Sequence, residues 1–139
     1  MIKRVSKEMI ENLYSTLFEG QTFHIKCVAI TSDNHFVISG SSDSIVRVWN
    51  LVEKRQEAVF EGHTDQINSV KITSDNQFAV SGSSDSTVRV WNLFEKRQEV
   101  MFEGHTNEVK CVAITSENRF VVSGSSDKTV RVWNLLEKQ

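Results

Sequence analysis

Three residue types in this chain stand ready for acyl-transfer chemistry. His63, Ser81 and Asp85 could act as base, nucleophile and orienting carboxylate, the roles of a catalytic triad. The same types return as His105, Ser123 and Asp127, and a tryptophan follows each set, Trp91 and Trp133. A nucleophile is needed once, in one pocket. A constellation that recurs at a fixed interval is expected to be structural, so no catalytic residue is assigned. An earlier set holds Ser39, Asp43 and Trp49, with Gln21 where the later sets have histidine. Ser39-Gly-Ser-Ser-Asp43 looks like a phosphate-binding loop but lacks the lysine that would reach the phosphates. Cys27 and Cys111 lack the paired spacing of a metal or redox site, so neither metal nor cofactor is expected. His24 and His35 read as exposed loop and turn residues.

A repeat positions these residues. Trp49, Trp91 and Trp133 stand 42 residues apart, as do Gly20, Gly62 and Gly104. Ser-Gly-Ser-Ser-Asp recurs at 39–43, 81–85 and 123–127, and Val-Arg-Val-Trp-Asn at 46–50, 88–92 and 130–134. One unit reads as four strands. Ile67 to Ile72 is apolar-rich and closes on the turn cluster Thr73-Ser-Asp-Asn76. Phe78 to Ser81 is a second strand, and Gly82 to Ser86 a tight turn. Thr87 to Leu93 alternates as a third strand. Glu95-Lys-Arg97 reads as a loop before a fourth strand, Glu99 to Phe102. Short strands at this spacing give an all-β class with few helices.

Composition narrows the function classes. Of 139 residues, 39% are hydrophobic, enough for a packed core. Sixteen basic residues against eighteen acidic ones leave no large basic face, so nucleic acid is not an expected partner. No apolar run approaches the roughly 20 residues that span a bilayer. The N-terminus lacks the apolar core of a secretory signal. Two unpaired cysteines suit an intracellular, cytoplasmic or nuclear, protein.

The sequence resembles the WD-repeat β-propeller family. The likeness covers about residues 18–135 and rests on Gly-His at 62–63 and 104–105 and Trp-Asn at 49–50, 91–92 and 133–134. Asparagine replaces the family's usual aspartate after tryptophan. The resemblance implies four-stranded blades, three in this chain. It also implies a hydrogen-bonded relay from the Gly-His loop through Asp and Ser to the indole N–H. Its members would be His63, Ser81, Asp85, Trp91, His105, Ser123, Asp127 and Trp133, with Ser39, Asp43 and Trp49 as a weakened first set. The function it implies is a non-catalytic scaffold for protein partners. Two alternatives stand beside that reading: a ligand-binding or enzymatic propeller with a site in the central channel, and a fragment of a longer WD-repeat protein.

Propellers have four to eight blades, so three leave two apolar faces open. Phe18 falls in register with Phe60, which makes residues 13–20 an outer strand with no blade of its own. Supplied to another chain's last blade by strand addition, it would seal a homodimer of six blades. The remaining boundaries are a tail over 1–12, blades over 21–60 and 61–102, and a last blade over 103–139 that lacks its outer strand. Ile10, Leu13, Tyr14 and Leu17 also suit a helix face. Candidate protein contacts are the loop residues that vary between units: Phe23, His24 and Lys26; Asp65, Gln66 and Asn68; Asn107, Glu108 and Lys110.

Overall fold

The computed structural model describes Phe18 and residues 23–139. The tail over 1–12, Gln21 and all of the outer strand over 13–20 except Phe18 lie outside the described residues. Eleven strands and no helix occur among those described. β1 (Ile25–Ile30), β2 (Phe36–Ser41), β3 (Val46–Asn50) and β4 (Arg55–Phe60) form one antiparallel sheet in chain order. β5 (Ile67–Ile72), β6 (Phe78–Ser83), β7 (Val88–Asn92) and β8 (Arg97–Phe102) form the second. β9 (Val109–Ile114), β10 (Phe120–Ser125) and β11 (Val130–Asn134) form a third of three strands, with β11 at its edge. The first strands β1, β5 and β9 pack side by side, so the sheets fan from a common inner line.

Turn chemistry fixes the strand ends. Thr73 Oγ1 donates to Asp75 Oδ1 at 2.6 Å, and Asn76 takes a left-handed φ of 60° that asparagine tolerates. Asn92 Oδ1 accepts from the backbone N–H groups of Phe94 and Glu95 at 3.0 and 2.8 Å. That side-chain turn, completed by Lys96 at φ 55°, starts β8 at Arg97 opposite Asn92. Arg97 is therefore strand, not loop: β8 begins two residues earlier than the sequence suggests, and the connection is one residue shorter. β7 correspondingly begins at Val88 and ends at Asn92.

β6 also runs past its expected end, through Gly82 to Ser83. Gly82 pairs with Val88, and a Cβ placed on it would lie 2.7 Å from Val109 Cγ1 of the next sheet. Gly40 is tighter still, since a Cβ there would meet Ile67 Cγ2. These glycines serve close sheet approach rather than a turn.

The core lies between sheets, not within them. Ile38, Val46, Val48 and Phe60 of the first sheet bury against Ile67, Val70, Ala79 and Trp91 of the second. Val80, Val88, Val90 and Phe102 repeat that joint against Val109, Val112, Val121 and Trp133. The Phe60 ring stacks on Trp91 with centroids 5.1 Å apart, and Phe102 stacks on Trp133 at the same distance. Phe18 continues the series 4.9 Å from Trp49. A joint of this kind also carries a polar clasp. Asn76 Nδ2 donates to Ser32 Oγ at 2.8 Å and its Oδ1 accepts from Ser32 N at 3.0 Å. Asn118 and Ser74 repeat both bonds across the next joint.

Candidate functional site

Each Gly-His loop delivers its imidazole against the second strand of its sheet and the turn that joins that strand to the third. His63 Nδ1 lies 2.8 Å from Asp85 Oδ2, and its Nε2 lies 2.7 Å from Ser81 Oγ. Trp91 Nε1 donates to the same Ser81 oxygen at 2.8 Å. A carboxylate can only accept, so Nδ1 carries the proton and Nε2 accepts from the serine hydroxyl. The order is thus Trp91, Ser81, His63, Asp85, with histidine in the middle rather than at one end. Thr87 is a further member, donating to Asp85 Oδ1 at 2.6 Å. His105, Ser123, Asp127, Trp133 and Thr129 reproduce the chain within 0.1 Å for each bond (2.7, 2.7, 2.8 and 2.6 Å). The threonines were legible in the sequence as Thr87 and Thr129 in register, with Ile45 breaking the pattern.

This electrostatic arrangement suits holding and not reacting. Burial disfavours charge on His63 and lowers its pKa, against the opposing pull of Asp85. Burial also opposes ionisation of Asp85, but hydrogen bonds from His63 and Thr87 outweigh it and hold the carboxyl well below its usual range. Ser81 has both its roles filled, by an indole donor and an imidazole acceptor. An attacking serine needs an approach for substrate, and Ser81 is fully buried.

The first unit is built differently. Trp49 Nε1 still donates to Ser39 Oγ at 2.9 Å. Asp43, however, turns to Arg47, whose Nη2 lies 2.7 Å from Oδ2, and accepts a hydrogen bond from Ser41 Oγ. Burial raises the Asp43 pKa, but the bonds from Arg47 and Ser41 prevail and lower it. In the second unit the equivalent Arg89 instead reaches Gln98 Oε1 at 2.9 Å. A guanidinium thus replaces imidazole and threonine as the partner of the first aspartate.

The nine variable loop residues gather where the chain enters β1, β5 and β9. Phe23, His24 and Lys26 are exposed, Phe23 to 52%. Asp65 and Asn107 are exposed, each capping the following backbone N–H. Gln66 and Glu108 are half-buried, and their carbonyls accept from Ser84 N and Ser126 N. Lys26, Asn68 and Lys110 occupy β-bulges, where the extra residue re-aims the side chain. Lys110 lies 3.7 Å from Glu108. Asn68 is already engaged, donating to Ser84 Oγ and to Val109 O at 2.9 Å. Cys27 is half-buried beside Gly40 and Ile67, and burial pushes its thiol up to about 11. Cys111 is exposed at the equivalent place. Among the described residues no group of three His, Cys, Asp or Glu could hold a metal ion, and no helix is long and apolar enough to cross a membrane.

Comparison with known proteins agrees with this geometry. A search of curated proteins returned no match. Among solved structures, the chain is similar to the crystal structure of the RRP9 WD40 repeats, with 25% identity and a TM-score of 0.82 over 87% of this chain and 38% of that one. It is also similar in fold to the structure of U3-55K, with 24% identity and a TM-score of 0.83 over 87% and 39%. The chain spans about two-fifths of the length of these structures. The family model described as WD domain, G-beta repeat, matches residues 12–50, 54–92 and 96–134, each ending at one of the three Trp-Asn pairs. With three matches over most of its length, each carrying an indole-anchored sheet, the chain belongs to the WD domain, G-beta repeat family.

Proposed function

We propose that this chain is a non-catalytic protein–protein interaction scaffold of the cytoplasm or nucleus. The observation that carries the reading is a division of labour among polar residues. The repeated ones are consumed inside the sheets by the indole–serine–histidine–aspartate chains. The ones left for a partner are those that differ between units, on the loops before β1, β5 and β9 and at the bulges just inside those strands. Phe23, His24 and Lys26 are all exposed, and an exposed aromatic is a fit anchor for an interface. Asp65, Gln66, Asn107, Glu108 and Lys110 extend the same face, while Asn68 braces it from beneath.

The scaffold, in this reading, is assembled from more than one chain, two copies giving six blades. Residues 13–20 form the outer strand handed to the neighbouring copy. The seat for such a strand is the edge of β11, which pairs on its other side with β10. In the second sheet the fourth strand fills that seat and supplies Gln98 to Arg89.

The test is affinity capture of partners by the wild type and by a Phe23→Ala, Lys26→Glu variant, alongside the melting temperature of each. The expected outcome is weaker capture with an unchanged melting temperature. Loss of both together would assign these residues to folding and overturn the contact face.

A further inference from the structure

We infer that the two end faces of the sheet array are halves of one joint, that a second copy of this chain docks on them head to tail, and that Asn34 of one copy clasps Ser116 of the other. This rests on the reading that more than one chain builds the scaffold.

The apolar pattern argues for it first. Val46 and Val88 are fully buried at the two internal joints, while Val130, at the same place in the third sheet, is 74% exposed. Ile67 and Val109 are likewise fully buried, while Ile25 is 44% exposed and Val28 is 65% exposed. One end of the array therefore offers the donor half of the joint, Val130 and Val132. The other end offers the acceptor half, Ile25 and Val28. Clustered exposed aliphatics of this kind mark a binding surface.

The polar clasp specifies the occupant. Each internal joint pairs an asparagine held at positive φ with the serine two residues before the asparagine of the preceding sheet, Asn76 with Ser32 and Asn118 with Ser74. Asn34 is held the same way, at φ 61° against 60° for Asn76 and 59° for Asn118. Its side chain is exposed and makes no hydrogen bond among the described residues, and neither does the backbone N–H of Ser116. Ser116 Oγ has only a long 3.4 Å contact to Glu117. A generic apolar partner would bury the valines but would offer nothing at this position. A second copy presents both the matching aliphatic row and the missing half of the clasp, at the spacing the internal joints already use. The contact is heterologous, one patch meeting a different one, and such contacts close when the rotation permits. Two copies bring six sheets, inside the usual range for a propeller.

Light scattering after gel filtration of the full chain at micromolar concentration tests the proposal. The expected result is a species of twice the 15.8 kDa chain mass. Asn34→Asp with Ser116→Asp places like charges across the clasp and is expected to weaken self-association about tenfold or more. Asn34→Asp with Ser116→Lys is expected to restore it. Both positions lie on exposed turns, and circular dichroism checks that each variant is folded. A wild type that stays monomeric overturns the second-copy joint while leaving the contact face to its own capture test. A dimer indifferent to both charge variants overturns the clasp, and a mass above two copies overturns the six-sheet ring.

Discussion

Ser81 is the node on which the second relay turns, and Ser81→Ala measures what the relay is worth. The substitution removes one oxygen and leaves two groups stranded: the Trp91 indole N–H, in a residue 1% exposed, and His63 Nε2, on a side chain with no exposed surface. A buried polar group left unpaired costs about 1–3 kcal/mol. The two losses share a site and do not add fully, so the expected destabilisation is about 2–4 kcal/mol. Ser39→Ala is the internal reference. It strands the Trp49 indole N–H, in a residue 7% exposed, without a histidine in the later units' place, and should cost about 1–2 kcal/mol. Urea unfolding followed by tryptophan fluorescence and by circular dichroism would give both values. In thermal melts the gap of about 1–2 kcal/mol corresponds to several degrees for a chain of this length. Equal costs for the two variants, or a Ser81→Ala cost below about 1 kcal/mol, would refute the claim that the four-membered chain stabilises the sheet as a unit.

Acid should unfold the protein in stages. The folded-state pKa of His63 is lowered, so its stabilisation is complete above the unfolded value near 6.5 and declines as pH falls below it. The lowered pKa of Asp85 adds a second decline below about pH 4. Melts at pH 7, 5 and 3.5 should show both, and His63→Gln should flatten the first. Gly82→Ala should cost about 1–3 kcal/mol, because its Cβ would meet Val109 at 2.7 Å and Val112 at 3.0 Å. Gly124→Ala should cost less, since it meets only the Cys111 thiol at 2.9 Å; chemical denaturation of the two variants decides. Arg47→Met should destabilise more than Arg89→Met, by about 1–2 kcal/mol. The first strips the half-buried Asp43 of its cation, while Asp85 keeps His63 and Thr87; urea midpoints provide the comparison.

The strand count and the phase of the repeat are legible in the sequence because β-branched alternation and turn residues are local signals. Val88, Val90 and Trp91 announce their strand without help from elsewhere. Gly82 reads as a turn for the same reason: its neighbours are serines and an aspartate. What makes it a strand residue is Val109, 27 positions away on another sheet, and no local window contains that contact. Arg97 reads as loop because the sequence does not announce that Asn92 will fold its side chain back onto Phe94 and Glu95. The relay members are visible by recurrence, yet their order is not, since recurrence says which residues belong together and nothing about which nitrogen faces which oxygen. The swap at Asp43 is the most distant from local reading. Gln21 and Ile45 signal that two partners are missing, but only the fold shows Arg47 close enough to replace them.

The stacking of Phe60 on Trp91, and of Phe102 on Trp133, has a bearing on how such a chain can lengthen. The aromatic that ends one sheet belongs energetically to the sheet that follows, so the unit of heredity and the unit of folding are out of phase by one strand. Unequal crossing-over that adds or removes a whole 42-residue period, wherever the break falls, rebuilds every ring-on-indole contact from the same pair of residues. Copy number can drift under such a rule with no seam to repair, and near-identical tandem copies are the trace it leaves.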